Sequence, residues 1–242
     1  MVGKQRDKHE QESSRPTEQP AADRELVGLP ADVAAIREEL RAFFQSSDAS
    51  GRKLGSSQFG VYAFYDYDGE PIYVGQTYEG LGARIGRHLT NRRTDAVAMH
   101  VLDPFEVAEV RVWPLNLDHL KKNKQREYLD RAEYTVFQKV LAESKLGAVL
   151  NEKPPKPTAA IELPQDYRHR IVPDSLYPHR KHPDVRLARR ANTIANLARV
   201  ISERKVSRGL RQTLLTQARR LERLAVERLK DFPHGSADEA EE

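Results

Sequence analysis

The dipeptide Asp68-Gly69 stands between two β-prone runs, GVYAFY before it and PIYVGQT after it. Asp-Gly in that setting is a strong short-range signal for a β-hairpin. With a two-residue turn at Asp68-Gly69, Tyr62 opposes Gly75 and Phe64 opposes Tyr73. Side chains two apart along a strand share a face. Tyr62 and Tyr73 therefore point to the same side as diagonal neighbours. They also sit in near-matching frames, GVY and YVG. Residues 60–78 hold five of the nine tyrosines in the chain, at 62, 65, 67, 73 and 78. Two tyrosines on one face suit cross-strand packing as well as chemistry.

Helical spacing surrounds this hairpin. PADVAAIREELRAFFQ, with Pro30 and Asp32 in its first turn, places Val33, Ile36, Leu40 and Phe43 on one stripe. Residues 80–91 read as a helix despite two internal glycines, each of which costs about 1 kcal/mol relative to alanine. On it Arg84 and His88 lie one turn apart and flank the apolar line Leu81, Ile85 and Leu89. That pair suits a solvated basic edge or the wall of a cleft. Residues 106–113, EVAEVRVW, alternate like a third strand that Pro114 ends. Residues 119–143 form a long helix whose stripe is Leu129, Val136, Phe137 and Val140. Glu133 falls in the middle of that stripe. A carboxylate buried there requires a cation, a metal or several donors beside it, and a structural Glu–Arg pair satisfies this as well as a metal does. GAVLN at 147–151 is suited to a short return strand.

In order along the chain stand GVY, YVG, Arg84 with His88, Glu133 and Asn151. This set resembles the GIY-YIG nuclease superfamily over roughly residues 58–152. The resemblance implies an α/β fold, a compact domain with a small, mainly antiparallel three-stranded sheet flanked by helices. It also implies a phosphodiester-cleaving site that uses one divalent metal, Mg²⁺ or Mn²⁺, held by Glu133. Arg84 then binds the scissile phosphate. Tyr62 accepts a proton from the attacking water, which for a group that ionises near 10 requires nearby positive charge. By the same resemblance Tyr73 positions water or phosphate, His88 assists, and Asn151 orients groups from behind. Val61 and Val74 stand where the family name has isoleucine. The bare turn between the tyrosine frames leaves target recognition to other parts of the chain.

Charge points to a polyanion partner, nucleic acid or an anionic membrane, and the resemblance makes it DNA. Residues 168–231 hold 17 Lys and Arg against 6 Asp and Glu, although the net charge of the whole chain is only +4. A block of that kind grips phosphates in a salt-sensitive, sequence-independent way. Arg180, Lys181, Arg186, Arg189 and Arg190 are its candidate DNA contacts, with Arg87, Arg92 and Arg93 beside the catalytic helix. The chain of 242 residues divides into a disordered tail (1–28), a helix and loop (29–57), a nuclease domain (58–157), an irregular basic linker (158–183), a helical hairpin (184–231) and an acidic tail (232–242). The helical hairpin serves either DNA binding or dimerisation, and a homodimer suits the cutting of both strands. With no cysteine, no apolar run of ~20 residues and no signal-peptide core, the sequence reads as a cytoplasmic protein that does not enter a membrane. Its expected activity is a site-specific, restriction-type endonuclease. The alternatives are a repair or mobile-element nuclease, or a non-catalytic nucleic-acid-binding protein.

Overall fold

The computed structural model describes residues 31–90, 103–151 and 153–232. The expected disordered tail over 1–28, all of the acidic tail over 232–242 except Phe232, and the candidate contacts Arg92 and Arg93 lie outside the described residues. A four-stranded antiparallel sheet forms the centre, in the order β2-β1-β3-β4. Its strands are β1 (Phe59–Tyr65), β2 (Pro71–Thr77), β3 (Glu109–Leu115) and β4 (Tyr167–Arg170). The helices are α1 (Ala31–Gln45), α2 (Leu81–Thr90), α3 (Lys122–Glu143), α4 (Tyr177–Lys181), α5 (Pro183–Glu203) and α6 (Arg208–Leu229).

The hairpin register is the one the sequence predicts. Tyr62 pairs with Gly75 and Phe64 with Tyr73. The turn differs. Asp66 N–H donates to the Glu70 carbonyl and Gly69 N–H to the Asp66 carbonyl, which leaves a three-residue loop, Tyr67-Asp68-Gly69. Gly69 adopts φ +72°, the left-handed position of such loops. An irregularity between Phe64 and Tyr65 absorbs the extra residue and restores the register beyond it.

Every β1 side chain is buried because the strand is covered on both faces. One face packs Tyr62, Phe64, Val110 and Val112 against Ile36, Leu40, Phe43 and Phe44 of α1 and Leu81, Ile85 and Leu89 of α2. The other packs Val61, Ala63, Val74 and Trp113 against Leu129, Ala132, Val136, Phe137 and Val140 of α3. The two faces of one hairpin thus separate α2, which carries Arg84 and His88, from α3, which carries Glu133.

Three sequence expectations change. Pro114 does not end β3, which runs to Leu115 with Pro114 opposite Gly60. β4 pairs only with Glu109–Val112, so Pro114 sits where β3 has one unpaired side, and proline is tolerated there. GAVLN forms no strand. It runs beside β2, with Leu150 N–H donating to the Ile72 carbonyl at 2.8 Å. The supposed linker 158–183 is part of the α/β body. It supplies β4, the fourth strand of the sheet. The His169 ring stacks on Phe43 at 5.1 Å, and Tyr167 Oη accepts from Ala49 N–H. Just before β4, Ile161 and Leu163 pack on the α3 side of the core. Packing therefore runs through position 157 without a boundary.

The helical hairpin 184–231 forms as α5 and α6, seamed by Leu197, Val200 and Leu210. Its arginines turn inward. Asp66 accepts from Arg190 at 2.9 Å and Arg186 at 3.5 Å, and also pairs with Arg220. Arg186 further pairs with Asp68 at 2.6 Å, and Glu106 accepts from Arg189 and Arg190 at 3.0 Å each. Arg180 pairs with Asp32 at 2.9 Å. Burial lowers the proton affinity of Arg220, and Asp66 is the carboxylate that opposes this. Arg180, Arg186 and Arg190 are each under 5 % exposed, so no phosphate reaches them. The expectation that they and Arg189 contact DNA is corrected: Arg186, Arg190 and Arg220 hold α5 and α6 on the β1–β2 turn, Arg189 is taken by Glu106, and Arg180 ties α4 to Asp32 of α1. Lys181 remains exposed, beside the Tyr177 ring.

Candidate active site

The glycines of both tyrosine frames have steric causes. A Cβ on Gly60 would lie 2.9 Å from three atoms of the Leu81 side chain, so the GVY glycine lets α2 seat on β1. A Cβ on Gly75 would lie 2.7 Å from Tyr62 Oη and 2.8 Å from Tyr73 Cε1. The YVG glycine thus leaves room for the Tyr62 hydroxyl over its own backbone. Tyr62 is fully buried. Gly75→Ala is expected to lower stability by about 1–3 kcal/mol through overpacking and to displace the tyrosine hydroxyls. A melting curve and a cleavage assay check this, and an unchanged pair of results refutes it.

Tyr62, Phe64, Tyr73 and His88 form one aromatic cluster. The Tyr62 and Tyr73 rings lie 6.2 Å apart, and His88 lies 5.9 Å from the first and 5.1 Å from the second. His88, on the inner side of α2, is buried rather than set on a solvated edge. One turn earlier Arg84 reaches the tyrosines from the helix. Burial lowers its pKa, but the Tyr62 hydroxyl, then Tyr73 and Glu79, outweigh that and raise it overall. The guanidinium is therefore a fixed positive charge beside the Tyr62 hydroxyl. Its Nε is buried with no hydrogen-bond partner among the described residues.

Arg84 also lines a cleft of about 590 Å³ at the end of the hairpin away from its turn. Gln58, Phe59, Gln76 and Tyr78 supply the hairpin side, and Lys122, Gln125, Arg126, Leu129 and Asp130 supply the α3 side. Gln76 Nε2 donates to Asp130 at 2.9 Å across it, while Gln76 Oε1 is buried without a partner among the described residues. Glu133 continues the same α3 stripe, one turn beyond Leu129 and Asp130. Burial, with the Asp130 carboxylate second, pushes the Glu133 carboxyl up to about 7. Among the described residues it makes no ion pair, so the structural Glu–Arg pair allowed by the sequence is not what fills this position.

Asn151 touches no reacting group. Val74 N–H donates to its Oδ1 at 3.0 Å, and its Nδ2 donates back to the Val74 carbonyl at 2.8 Å. It is a positioning residue that staples the free edge of β2 between Tyr73 and Gly75. Arg87 is exposed and paired with Glu79. Sequence reasoning missed Tyr78, Lys122, Arg126 and Asp130. Their signal was the stripe 122, 126, 130 and 133 on one face of α3, spaced three to four residues apart.

The architecture is a small antiparallel sheet between helices, with the Tyr62–Tyr73–His88 cluster behind Arg84 and the half-buried Glu133 one turn beyond the cleft residues of α3. Residues 58–146 match the family model of the GIY-YIG catalytic domain. That stretch, less than half of the chain, is similar to a nuclease-type catalytic domain. No curated protein and no solved structure matches the chain. Among the described residues no helix is long and apolar enough to cross a membrane.

Proposed function

We propose that the protein is a divalent-metal-dependent DNA endonuclease of the site-specific, restriction type, with its active site in the cleft between α2 and α3. The observation that carries this reading is that Arg84, which lines one wall of that cleft, interacts with Tyr62 and Tyr73 packed behind it. Asp130 lines the other wall, and Glu133 lies one turn further along α3.

The donor set fits a hard cation. Among the described residues no three acid or histidine side chains cluster, so the protein offers few ligands and leaves most positions to water and phosphate, as Mg²⁺ prefers. Glu133 would hold the ion, since a carboxyl pushed up to about 7 with no cation beside it gains most from one. The orphaned Gln76 Oε1 adds an acceptor nearby. When bound, Mg²⁺ or Mn²⁺ supplies Lewis-acid stabilisation of the charge on the leaving oxygen.

The protein's own groups do the rest. Arg84 binds the scissile phosphate, with its unpartnered Nε available as a donor and its planar fork suited to phosphate oxygens. Tyr62 takes the proton of the attacking water, and Arg84 beside it favours the phenolate. Tyr73 and His88 fix the Tyr62 ring from two sides. Asn151 keeps the Tyr73 backbone in register. Cutting both strands with one site per chain calls for two copies acting together. Incubating the protein with a mixed plasmid substrate and Mg²⁺, then sequencing the ends, is expected to give ends at one defined sequence. Intact plasmid with both Mg²⁺ and Mn²⁺ defeats the endonuclease reading, and scattered ends defeat site specificity.

A further inference from the structure

Tyr78 is 66 % exposed, the largest aromatic surface on the hairpin, and it stands at the mouth of the cleft. Its loop is not loose. Gly80 N–H donates to the Gln58 carbonyl at 2.9 Å, Glu79 N–H to Thr77 Oγ1 at 3.1 Å, and Gln58 Nε2 to the Tyr78 carbonyl at 3.3 Å. An aromatic ring held in water on a braced backbone has already lost freedom that a binding surface would otherwise have to remove. Opposite it, Lys122 and Arg126 are exposed and make no ion pair among the described residues. With Arg84 they leave the cleft positively charged against Asp130 alone. Phe59 and Leu129 line it with apolar surface. The volume of about 590 Å³ lies in the range of pockets that enclose a small organic ligand.

From this juxtaposition we infer that the cleft takes one nucleotide of the DNA strand next to the scissile phosphate. Tyr78 stacks on its base, and Lys122 and Arg126 bind its outer phosphate. The inference rests on the proposed reading of the cleft as the cutting site. Stacking on an aromatic ring is indifferent to base identity, so Tyr78 grips the strand without reading it. Sequence readout then falls to other surfaces.

The probes are thymidine 3′,5′-bisphosphate and the same sugar bisphosphate lacking the base, titrated calorimetrically into the full chain. Tyr78→Ala is expected to weaken the nucleotide about tenfold, as loss of one base stack does, and to leave the base-free ligand unchanged. Tyr78→Phe keeps the nucleotide affinity. Lys122→Gln and Arg126→Gln weaken both ligands alike. Equal binding of the nucleotide by wild type and Tyr78→Ala overturns the inference, as does an equal loss for both ligands or no binding by wild type. Plasmid cleavage is measured on the same samples. Cleavage without a base-dependent effect at Tyr78 defeats this inference alone. A base-dependent effect without cleavage defeats the cutting assignment and leaves the nucleotide site standing.

Discussion

Glu133→Gln is expected to abolish cleavage and to stabilise the metal-free protein at pH 8. Both effects have one cause. The Glu133 carboxyl is held near pKa 7 by burial and by Asp130, against an ordinary value of 4.5. Between those two pH values the native state keeps a proton that the unfolded chain has released, so native stability falls as pH rises. Above pH 7 the native carboxylate is charged, partly buried and unpaired. The full shift corresponds to about 3 kcal/mol at 1.36 kcal/mol per unit, and water reaching the half-buried group reduces this to about 2 kcal/mol. Glutamine keeps the shape without the charge. The variant should melt about 4–8 °C higher than wild type at pH 8 and within a degree or so of it at pH 4. Mg²⁺ should raise the melting point of wild type by mass action and leave the variant unchanged. Cleavage should fall about a thousandfold or more, since a lost Lewis acid removes several kcal/mol of transition-state stabilisation. Wild-type rates in the variant, or equal melting at pH 8, would refute the assignment of Glu133.

The second large effect is structural. Asp66→Ala should destabilise the protein by about 3–5 kcal/mol, the usual result of removing one partner from a buried ion pair. Asp66 is 3 % exposed and meets Arg186, Arg190 and Arg220 together. Its loss leaves those guanidinium groups in the interior with only Asp68 and Glu106. The damage should concentrate in α5 and α6, read as faster amide exchange there than in α3. The turn lies about 20 Å along the strands from the cleft, so folded protein at low temperature should still cut at the wild-type rate. A melting point within a degree of wild type would show that the network contributes little. A lost cleavage rate in fully folded protein would show that the turn and the cleft are coupled.

The sequence made the hairpin legible because a period of two and a strong turn signal are local properties. The Tyr62–Gly75 pairing, the long α3 with its stripe, and both C-terminal helices follow from spacing alone. β4 was invisible for a physical reason. YRHR has no apolar alternation, because its side chains meet other elements singly: Tyr167 holds the Ala49 backbone and His169 stacks on Phe43. The fate of the arginines was equally hidden. Composition shows that a segment is basic, and only the fold shows that Asp66, Asp68 and Glu106 lie against it. For the site, the sequence supplied the ordered set of residues but not their surroundings. Asn151 bonds to backbone, and no spacing rule reports that. Lys122, Arg126 and Asp130 share a face with Glu133, a pattern present in the sequence but outweighed there by the apolar stripe.

The charge network also sets an order on synthesis. Arg220 follows Asp66 by 154 positions. A ribosome adding ~5–20 residues per second takes on the order of ten seconds to cover that distance. Every residue of the candidate site precedes position 152, so the nascent chain holds the cutting elements before the partners of Asp66 exist. During that interval the acidic turn is open to water, where its charges are well solvated. Translation therefore completes the candidate site first and fastens the C-terminal helices last.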